Sequence, residues 1–580
     1  MEVKTSDNNQ RAETIIRDEL CFSAEQVPEA TGYTHNRCFF LPTEIWQEVQ
    51  KLLALAAPAF LSQLMIFMIS IVSYIFCGHL GKLELDAVSL AITVINITGV
   101  AVGTGLAGAC DTLISQTYGG HNLKLIGIIL QRGILILLLF CFPCWALLIN
   151  TESILLLFHQ DPEVSRLTQI YVLIFLPALP AAFIYQLLAK YLQNQGIIFP
   201  QVLTGFIANI FNALINYILL YVLGLGVKGS ACANTISQFI QLILLFLYIV
   251  WRRLYINTWG GWSQACFEEW GAFFRLAVAS MLMLCIEWWA FEISVLLAGV
   301  LGMVDLGAQA IIYQVSTVVY LMPLGLCIAG SIRVGHGLGS GNIEQAKRSA
   351  LVVLCMTEMC ALLSCIVLAT LKDVVAYIYT TDMNIVALVS YVLPVNSACL
   401  LFDGCVAACG GILRGSGKLK VGAISHTIGY YVIGLPLGLS LMFAAKLGII
   451  GFWIGILLRA IAQAIFLIIF VFRIDWKKAS EKAQTRSKVK SKIPKLDNKL
   501  SVYQEGCPTE QEDNDLGNME LTELNTDYRN SVSPEIMSPT IAAAPQHQPF
   551  CIHTLILTRS LALACAIGTF IIGIAIRFTV

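Results

Sequence analysis

The sequence predicts an all-α integral membrane protein, with two six-helix bundles related by a pseudo-twofold axis and a thirteenth span at the C-terminus. Three observations lead there. Hydrophobic residues make up 57% of the chain and charged residues 13%, with a mean hydropathy of +0.75; soluble domains carry about 25% charged residues. Apolar runs long enough to cross a bilayer, about 17–25 residues, recur near 51–77, 85–110, 125–149, 166–190, 202–224, 230–251, 276–299, 306–330, 347–371, 385–412, 420–443 and 449–473. The two halves of this set repeat. Gly78 pairs with Gly299 (299 − 78 = 221), Gly105 with Gly325 (325 − 105 = 220), Gly119 with Gly339 (339 − 119 = 220), Gly196 with Gly417 (417 − 196 = 221) and Gly226 with Gly448 (448 − 226 = 222). Six helices separate equivalents, an even number, so both copies keep one orientation and the axis runs along the membrane normal.

Residues 1–49 are polar, with no apolar core of a signal peptide, so the first span is its own insertion signal. Residues 50–260 hold the first six spans (the N-lobe) and 261–476 the next six (the C-lobe). Loop charge fixes orientation. Lys124, Lys190, Arg252, Arg253, Arg333, Lys347, Arg348, Arg414, Lys418, Lys420, Lys477 and Lys478 gather on one side; the other has Lys82, Arg166, Lys228, Lys372 and Lys446. The richer side is expected in the cytoplasm, together with the N-terminus. Residues 477–551 pass from a basic run (Lys482 to Lys495) to an acidic one (Glu505 to Glu523), the pattern of a disordered cytoplasmic linker. Residues 552–580 contain a 17-residue apolar run, Ser560 to Ile576, between Arg559 and Arg577. Those arginines can snorkel. A span there places the C-terminus outside; an interfacial helix is the alternative.

Several function classes drop out. The 19 cysteines are scattered, many inside apolar runs (Cys110, Cys285, Cys365, Cys399), which argues against a disulfide framework. Cys141 and Cys144 have the CxxC spacing but no second pair, so no metal is expected. Basic residues lack interleaved aromatics, so no nucleic-acid partner is expected. Gly411 to Lys418 imitates a phosphate loop, but Ile412 and Leu419 stand where Gly and Ser/Thr are needed. No nucleophile–base pair is present, so the chain is read as no enzyme and as needing no cofactor.

What remains is chemistry inside the spans. The seventh run carries Glu287 and Glu292 among Trp288, Trp289 and Phe291. A carboxylate at that depth costs about 2.5–3.5 kcal/mol on insertion scales. A buried carboxylate holds a proton or a cation but not both, which is what exchange requires. Glu287 and Phe291 are one turn apart and share a face, as do Tyr313 and Tyr320 two turns apart. Aromatic faces attract cations by about 0.5–2 kcal/mol. Glu292 is five residues beyond Glu287, so an ideal helix turns it about 140° away. Glu287 is therefore the primary site, and Glu292 is either secondary or a hydrogen-bonded acid between helices. Asp403, deep in the tenth run, is read as a supporting proton or cation site. The N-lobe offers Gln63, Asn96 and a stripe of Asn209, Asn212 and Asn216, which either lines the pathway or bonds helices together. Asp111 is read as a gate or packing residue, and His426 as a packed membrane histidine.

Longer signatures lie at loops and helix ends: Phe76-Cys77-Gly78-His79-Leu80-Gly81-Lys82, Ala109-Cys110-Asp111-Thr112-Leu113-Ile114-Ser115-Gln116, Lys190-Tyr191-Leu192-Gln193-Asn194-Gln195-Gly196, Glu287-Trp288-Trp289-Ala290, Val304-Asp305-Leu306-Gly307-Ala308-Gln309 and Gly410-Gly411-Ile412-Leu413-Arg414-Gly415-Ser416-Gly417. On these, residues 45–478 closely resemble the vertebrate multidrug and toxin extrusion (MATE) proteins. The thirteenth span also fits that branch. The resemblance implies a proton-coupled antiporter that exports organic cations (drugs, toxins, cationic metabolites) by alternating access between the lobes. It implies a monomer in the plasma membrane, apical in epithelia, with organic cations, protons and membrane lipid as partners. It places the family's acidic sites on Glu287, Glu292 and Asp403, the last where relatives usually have Glu. A further acidic site falls on Gln314, which cannot release a proton. The cation-facing aromatics fall on Trp288, Tyr313 and Tyr320, with Phe291 where relatives tend to have Tyr. The alternative is a flippase for lipid or lipid-linked substrates. That would favour a cationic lateral cavity, whereas the intramembrane charges here are read as acidic. At the repeat offset of 221, Glu287 falls on Ile66, Glu292 on Ile71 and Asp403 on Ala182. Proton coupling is therefore expected in the C-lobe alone.

Overall fold

The computed structural model describes residues 43–487 and 552–579. Most of the expected linker lies outside them. From Gln47 on, the described residues form one compact unit that holds both bundles. Among the described residues, twelve helices are long and apolar enough to cross a membrane, or thirteen when one bent pair counts as a single span. The first bundle comprises α1 (Thr43–Gly78), α2 (Leu83–Gly119), α3 (Leu123–Ile149), α4 (Pro162–Phe175 with Ala178–Gln193), α5 (Phe199–Val222) and α6 (Gly226–Trp251). The second comprises α7 (Trp270–Leu301), α8 (Met303–Ser340), α9 (Ile343–Leu371), α10 (Met383–Ser416), α11 (Leu419–Ala444) and α12 (Ile449–Phe472). The bend of 59° in α4 falls at Leu176 and Pro177. Proline has no N–H to continue the ladder, and its ring crowds the preceding turn.

Each bundle has its own apolar core. That of the first includes Leu106, Ile114, Ile136, Phe183 and Leu187, and extends to Trp270, Phe273 and Ala277 of α7. That of the second includes Ile286 and Ala290 of α7 with Ile312, Leu400, Tyr430 and Trp453. So α7 leaves one core and enters the other within about three turns.

The helices run past their apolar stretches at the end that carries most lysines and arginines, here termed the basic end. The added turns of α2 and α8 are buried against each other. A Cβ on Gly339 would lie 2.0 Å from the Gln116 carbonyl oxygen, and one on Gly119 2.3 Å from that of His336. These two glycines are repeat partners, so the backbones meet across the pseudo-axis at positions where any larger residue would force them apart. A small apolar cluster beside them joins Ala59, Ile198, Ile328 and Ile332. Glu48 of α1 accepts from Arg333 Nε and Nη2 of α8 (2.8 and 2.6 Å) and from Ser349 of α9 (2.6 Å). Asp111 accepts from Lys190 and Asn194, each at 3.1 Å.

Three features lay outside the sequence-based expectations. First, residues 477–486 were assigned to the linker, but Trp476–Arg486 forms a helix, α13, capped by Asp475 at the Lys478 N–H. Its Ala479, Ser480 and Ala483 are buried beneath the bundles. Ser480 donates to the Leu338 carbonyl (3.2 Å), Arg486 to Gln116 Oε1 (3.2 Å), and the Ser487 carbonyl accepts from Asn122 (3.0 Å). Burial holds the Arg486 guanidinium below its ordinary pKa. Lys418 is lowered too, by burial first and then by Lys482, Lys478 and Arg486. Second, π-helical turns interrupt α2 (Asn96–Val100), α5 (Ile218–Val222) and α11 (Ile428–Gly434 and Ser440–Ala444). Two of them are repeat partners (440 − 218 = 222). Third, the two arginines of the last helix, α14 (Ile552–Thr579), find partners on the first bundle and the segment after it. Arg577 donates to the Ile149 carbonyl (2.7 Å). Arg559 donates to the Phe267 carbonyl and lies 4.2 Å from the Trp270 ring centroid. Phe570 packs on Phe142 and Trp145 of α3.

Candidate functional site

Helix α7 is unbroken and contains no proline, so its rotation is that of a regular α-helix. Glu287, Trp288, Phe291 and Glu292 are all half-buried at its centre. Trp289 faces outward (40% exposed), and its indole N–H donates to the Ile97 carbonyl in the π-turn of α2 (3.3 Å). Glu287 sits at the point where α7 passes from one core to the other. Its neighbours are the Tyr320 hydroxyl and the charges of Asp403, Arg459 and Arg414. Glu292 is near Tyr74 of α1 and Tyr313 of α8. On a regular α7 the two acids stand about 140° apart around the axis, and Tyr313 is close enough to feel both. Among the described residues, no lysine, arginine or histidine comes within ion-pair distance of either carboxylate.

Beside them lies an aromatic cluster drawn from four helices. The Phe291 ring is 5.9 Å from Tyr313, 6.0 Å from Tyr430 and 6.4 Å from Trp453, centroid to centroid. Trp453 is fixed by its N–H, which donates to Gln309 Oε1 (2.9 Å), while Gln309 Nε2 donates to Ser294 (3.0 Å). This chain of bonds ties α12 to α8 and α8 to α7. Gln314 and Tyr320 are half-buried on α8.

Asp403 is buried and is not a free carboxylate. Its Oδ1 accepts from Arg459 Nη1 of α12 at 3.0 Å. Arg459 is fully buried (0% exposed), donates also to Gln463 (3.1 Å) and places its guanidinium carbon 4.0 Å from the Tyr430 ring centroid. His426 stacks on the same ring at 5.9 Å, and neither of its nitrogens has a hydrogen-bond partner among the described residues. Arg459 was missed because it is one charge within a run of leucines, isoleucines and alanines. A scan for single charges inside each apolar run would have found it. It also corrects the reading that the intramembrane charges are acidic, which was the argument against a flippase. Tyr430 and Trp453 carried no sequence signal, because aromatics at helical spacing are ordinary core residues.

The N-lobe candidates fare differently. Asn212, read as a possible substrate contact, is fully enclosed and donates to Ser237 of α6 (2.9 Å), so it fastens α5 to α6. Asn216 donates back to Asn212. Asn209 is half-buried and donates to the Met65 carbonyl of α1 (2.8 Å). Gln63 is half-buried on α1, and Asn96 is half-buried at the start of the α2 π-turn.

The MatE family model matches twice, over residues 58–218 and 279–439. The starts and the ends are each 221 residues apart (279 − 58 and 439 − 218), the offset of the internal repeat. The chain belongs to the MATE family. It is 81% identical to Multidrug and toxin extrusion protein 1 of Xenopus tropicalis over 100% of both chains. It is 50% identical to the Homo sapiens protein of that name, over 95% of this chain and 97% of the other. The crystal structure of the eukaryotic MATE transporter AtDTX14 superposes with a TM-score of 0.74 at 29% identity, covering 76% of this chain and 99% of that one. The protein is thus a multi-pass membrane transporter of the multidrug and toxin extrusion type.

Proposed function

We propose that this MATE protein is a proton-coupled antiporter that exports organic cations. The observation that carries the proposal is Glu287: a carboxylate deep in the bundle, beside Tyr320 and the Phe291–Tyr313 pair, with no cationic side chain among the described residues at bonding distance. Such a group binds a proton or a substrate cation, one at a time. With the proton on, the site is neutral and releases its cargo. With the proton off, the carboxylate and the aromatic faces hold the next cation. Tyr313 and Glu292 extend the polar surface towards the first bundle. A gradient of one pH unit contributes about 1.4 kcal/mol per proton. One monovalent cation out for one proton in moves no net charge, so the potential, about 2.3 kcal/mol per charge per 100 mV, does not drive it.

The orientation follows from the loop charges. The basic end is cytoplasmic, the N-terminus with it, and α14 carries the C-terminus outside. The tight contacts of α2 with α8 and the seating of α13 then describe a carrier closed towards the cytoplasm. The protein acts as a monomer in the plasma membrane, apical where the cell is polarised, with lipid packed around the bundles. Arg459 gives the flippase reading a cation inside the bundle, but Asp403 neutralises it.

The test is uptake of labelled tetraethylammonium into vesicles under an imposed pH gradient. Uptake should follow the gradient and fall to background when it is collapsed. Transport indifferent to the gradient would sink the coupling.

A further inference from the structure

Asp403 and Arg459 form an arrangement that the transport reading does not itself require. A carboxylate on one side and an aromatic face on the other are the two elements that hold an organic cation. Here both are taken by a side chain of the protein. The Arg459 guanidinium lies between Asp403 of α10 and the Tyr430 ring of α11. It is also embedded: a Cβ on Gly434 would lie 3.2 Å from Arg459 Cγ, and one on Gly429 3.4 Å from its Cδ. The groups around it are Asp403 and Cys399 from α10, His426 and Tyr430 from α11, Gln463 from its own helix and Glu287 from α7. The pair sums to zero charge. Glu292 is near Tyr74 and Tyr313. Among the described residues, Glu287 has no cation at ion-pair distance; Glu358 of α9, which lies beside Gly404, has none either.

We propose that Arg459 is a charge-selectivity residue: it occupies Asp403, so that the site pairs with one positive charge on a substrate and gains nothing from a second. The inference rests on the organic-cation reading above. It assigns monovalent organic cations as the favoured class and disfavours dications of similar length.

The test compares hexyltrimethylammonium with hexamethonium as inhibitors of tetraethylammonium uptake, one chain length carrying one or two quaternary charges. In the wild-type protein the monocation should inhibit at least as well as the dication. A wild-type preference for hexamethonium of tenfold or more would overturn the inference without any variant. In Arg459→Gln the freed Asp403 should shift the ratio of inhibition constants towards hexamethonium by about tenfold, the low end for a close charge pair. Arg459→Lys keeps the charge and should keep the wild-type ratio. Asp403→Asn combined with Arg459→Gln removes both charges and should restore it. A purely structural role would alter protein level or rate and leave the ratio alone. Arg459→Gln that reaches the membrane and transports tetraethylammonium with an unshifted ratio refutes the assignment. So does a ratio that moves equally in Arg459→Lys or in the double variant. Wild-type vesicles that carry no tetraethylammonium at all would instead overturn the transport reading beneath it.

Discussion

The two bundles share one plan and differ most plainly where α5 meets α6 and α11 meets α12. At the offset of 222 that relates α5 and α6 to α11 and α12, Asn212 corresponds to Gly434 (434 − 212) and Ser237 to Arg459 (459 − 237). In the first bundle these positions make a neutral amide–hydroxyl bond of 2.9 Å. In the second, the side chain is gone from one helix, and the space is filled by an arginine from the other. A π-turn, Ile428–Gly434, brings Tyr430 over that arginine, while the corresponding residues 206–212 are regular α-helix. At this site the first bundle is thus joined by a neutral bond and the second by charge. A scaffold can be duplicated and kept while its electrostatics are rewritten at a handful of positions.

That contrast can be broken or sharpened. The largest effect is expected from Glu287→Gln, which should lower gradient-driven uptake by about a hundredfold or more, since each tenfold is about 1.4 kcal/mol. Full activity would remove Glu287 as the exchange site. Next comes stability. Asp403→Leu strands Arg459 and should cost about 3–5 kcal/mol, read as a large fall in the thermal midpoint of the purified protein. Asn212→Leu in the first bundle removes the amide donor to the Ser237 hydroxyl, which keeps its own bond to the Ala233 carbonyl, and should cost about 1 kcal/mol. If the two fall equally, the contrast between the charged and the neutral site has no energetic content. Gly434→Ala places a methyl group against Arg459 and should cost about 1–3 kcal/mol, whereas Ala208→Gly on the α-helical counterpart of Tyr430 (430 − 222 = 208) should cost about 1 kcal/mol. Smallest is Gln314→Glu. A new carboxylate on α8 should shift the pH dependence of uptake; an unchanged profile places that side chain away from the exchange site.

Much of this was legible from the residues. Twelve core spans, their repeat and a C-terminal span follow from hydropathy and glycine spacing, because a bilayer demands long apolar helices and close helix packing demands glycine. Glu287 and Glu292 were legible because a charge in an apolar run is expensive. Arg459 carried the same signal and was passed over for want of a nearby partner in sequence; Asp403 lies on another helix, 56 residues away. The π-turns were invisible, since a shifted hydrogen-bond register leaves the pattern of apolar residues almost unchanged. Helix α13 was hidden by composition. Its lysines read as a solvated linker, while its contacts come from the short residues Ala479, Ser480 and Ala483 between them. The length of α2 and α8 at the basic end was underestimated for a related reason: those turns are buried by protein, not lipid, and so can be polar.

Helix α13 and the residue after it bear on how long the carrier rests in one state. Two of their hydrogen bonds reach the first bundle and one the second. Parting the bundles with α13 still attached to α12 breaks the two bonds to the first bundle; at about 1 kcal/mol each, they favour the arrangement with the basic end shut by about 2 kcal/mol, or roughly thirtyfold in population. That is enough to give an idle carrier a preferred side. It is too little to lock it, and a bias of that size is within reach of a single bound cation or of a proton gradient of two pH units.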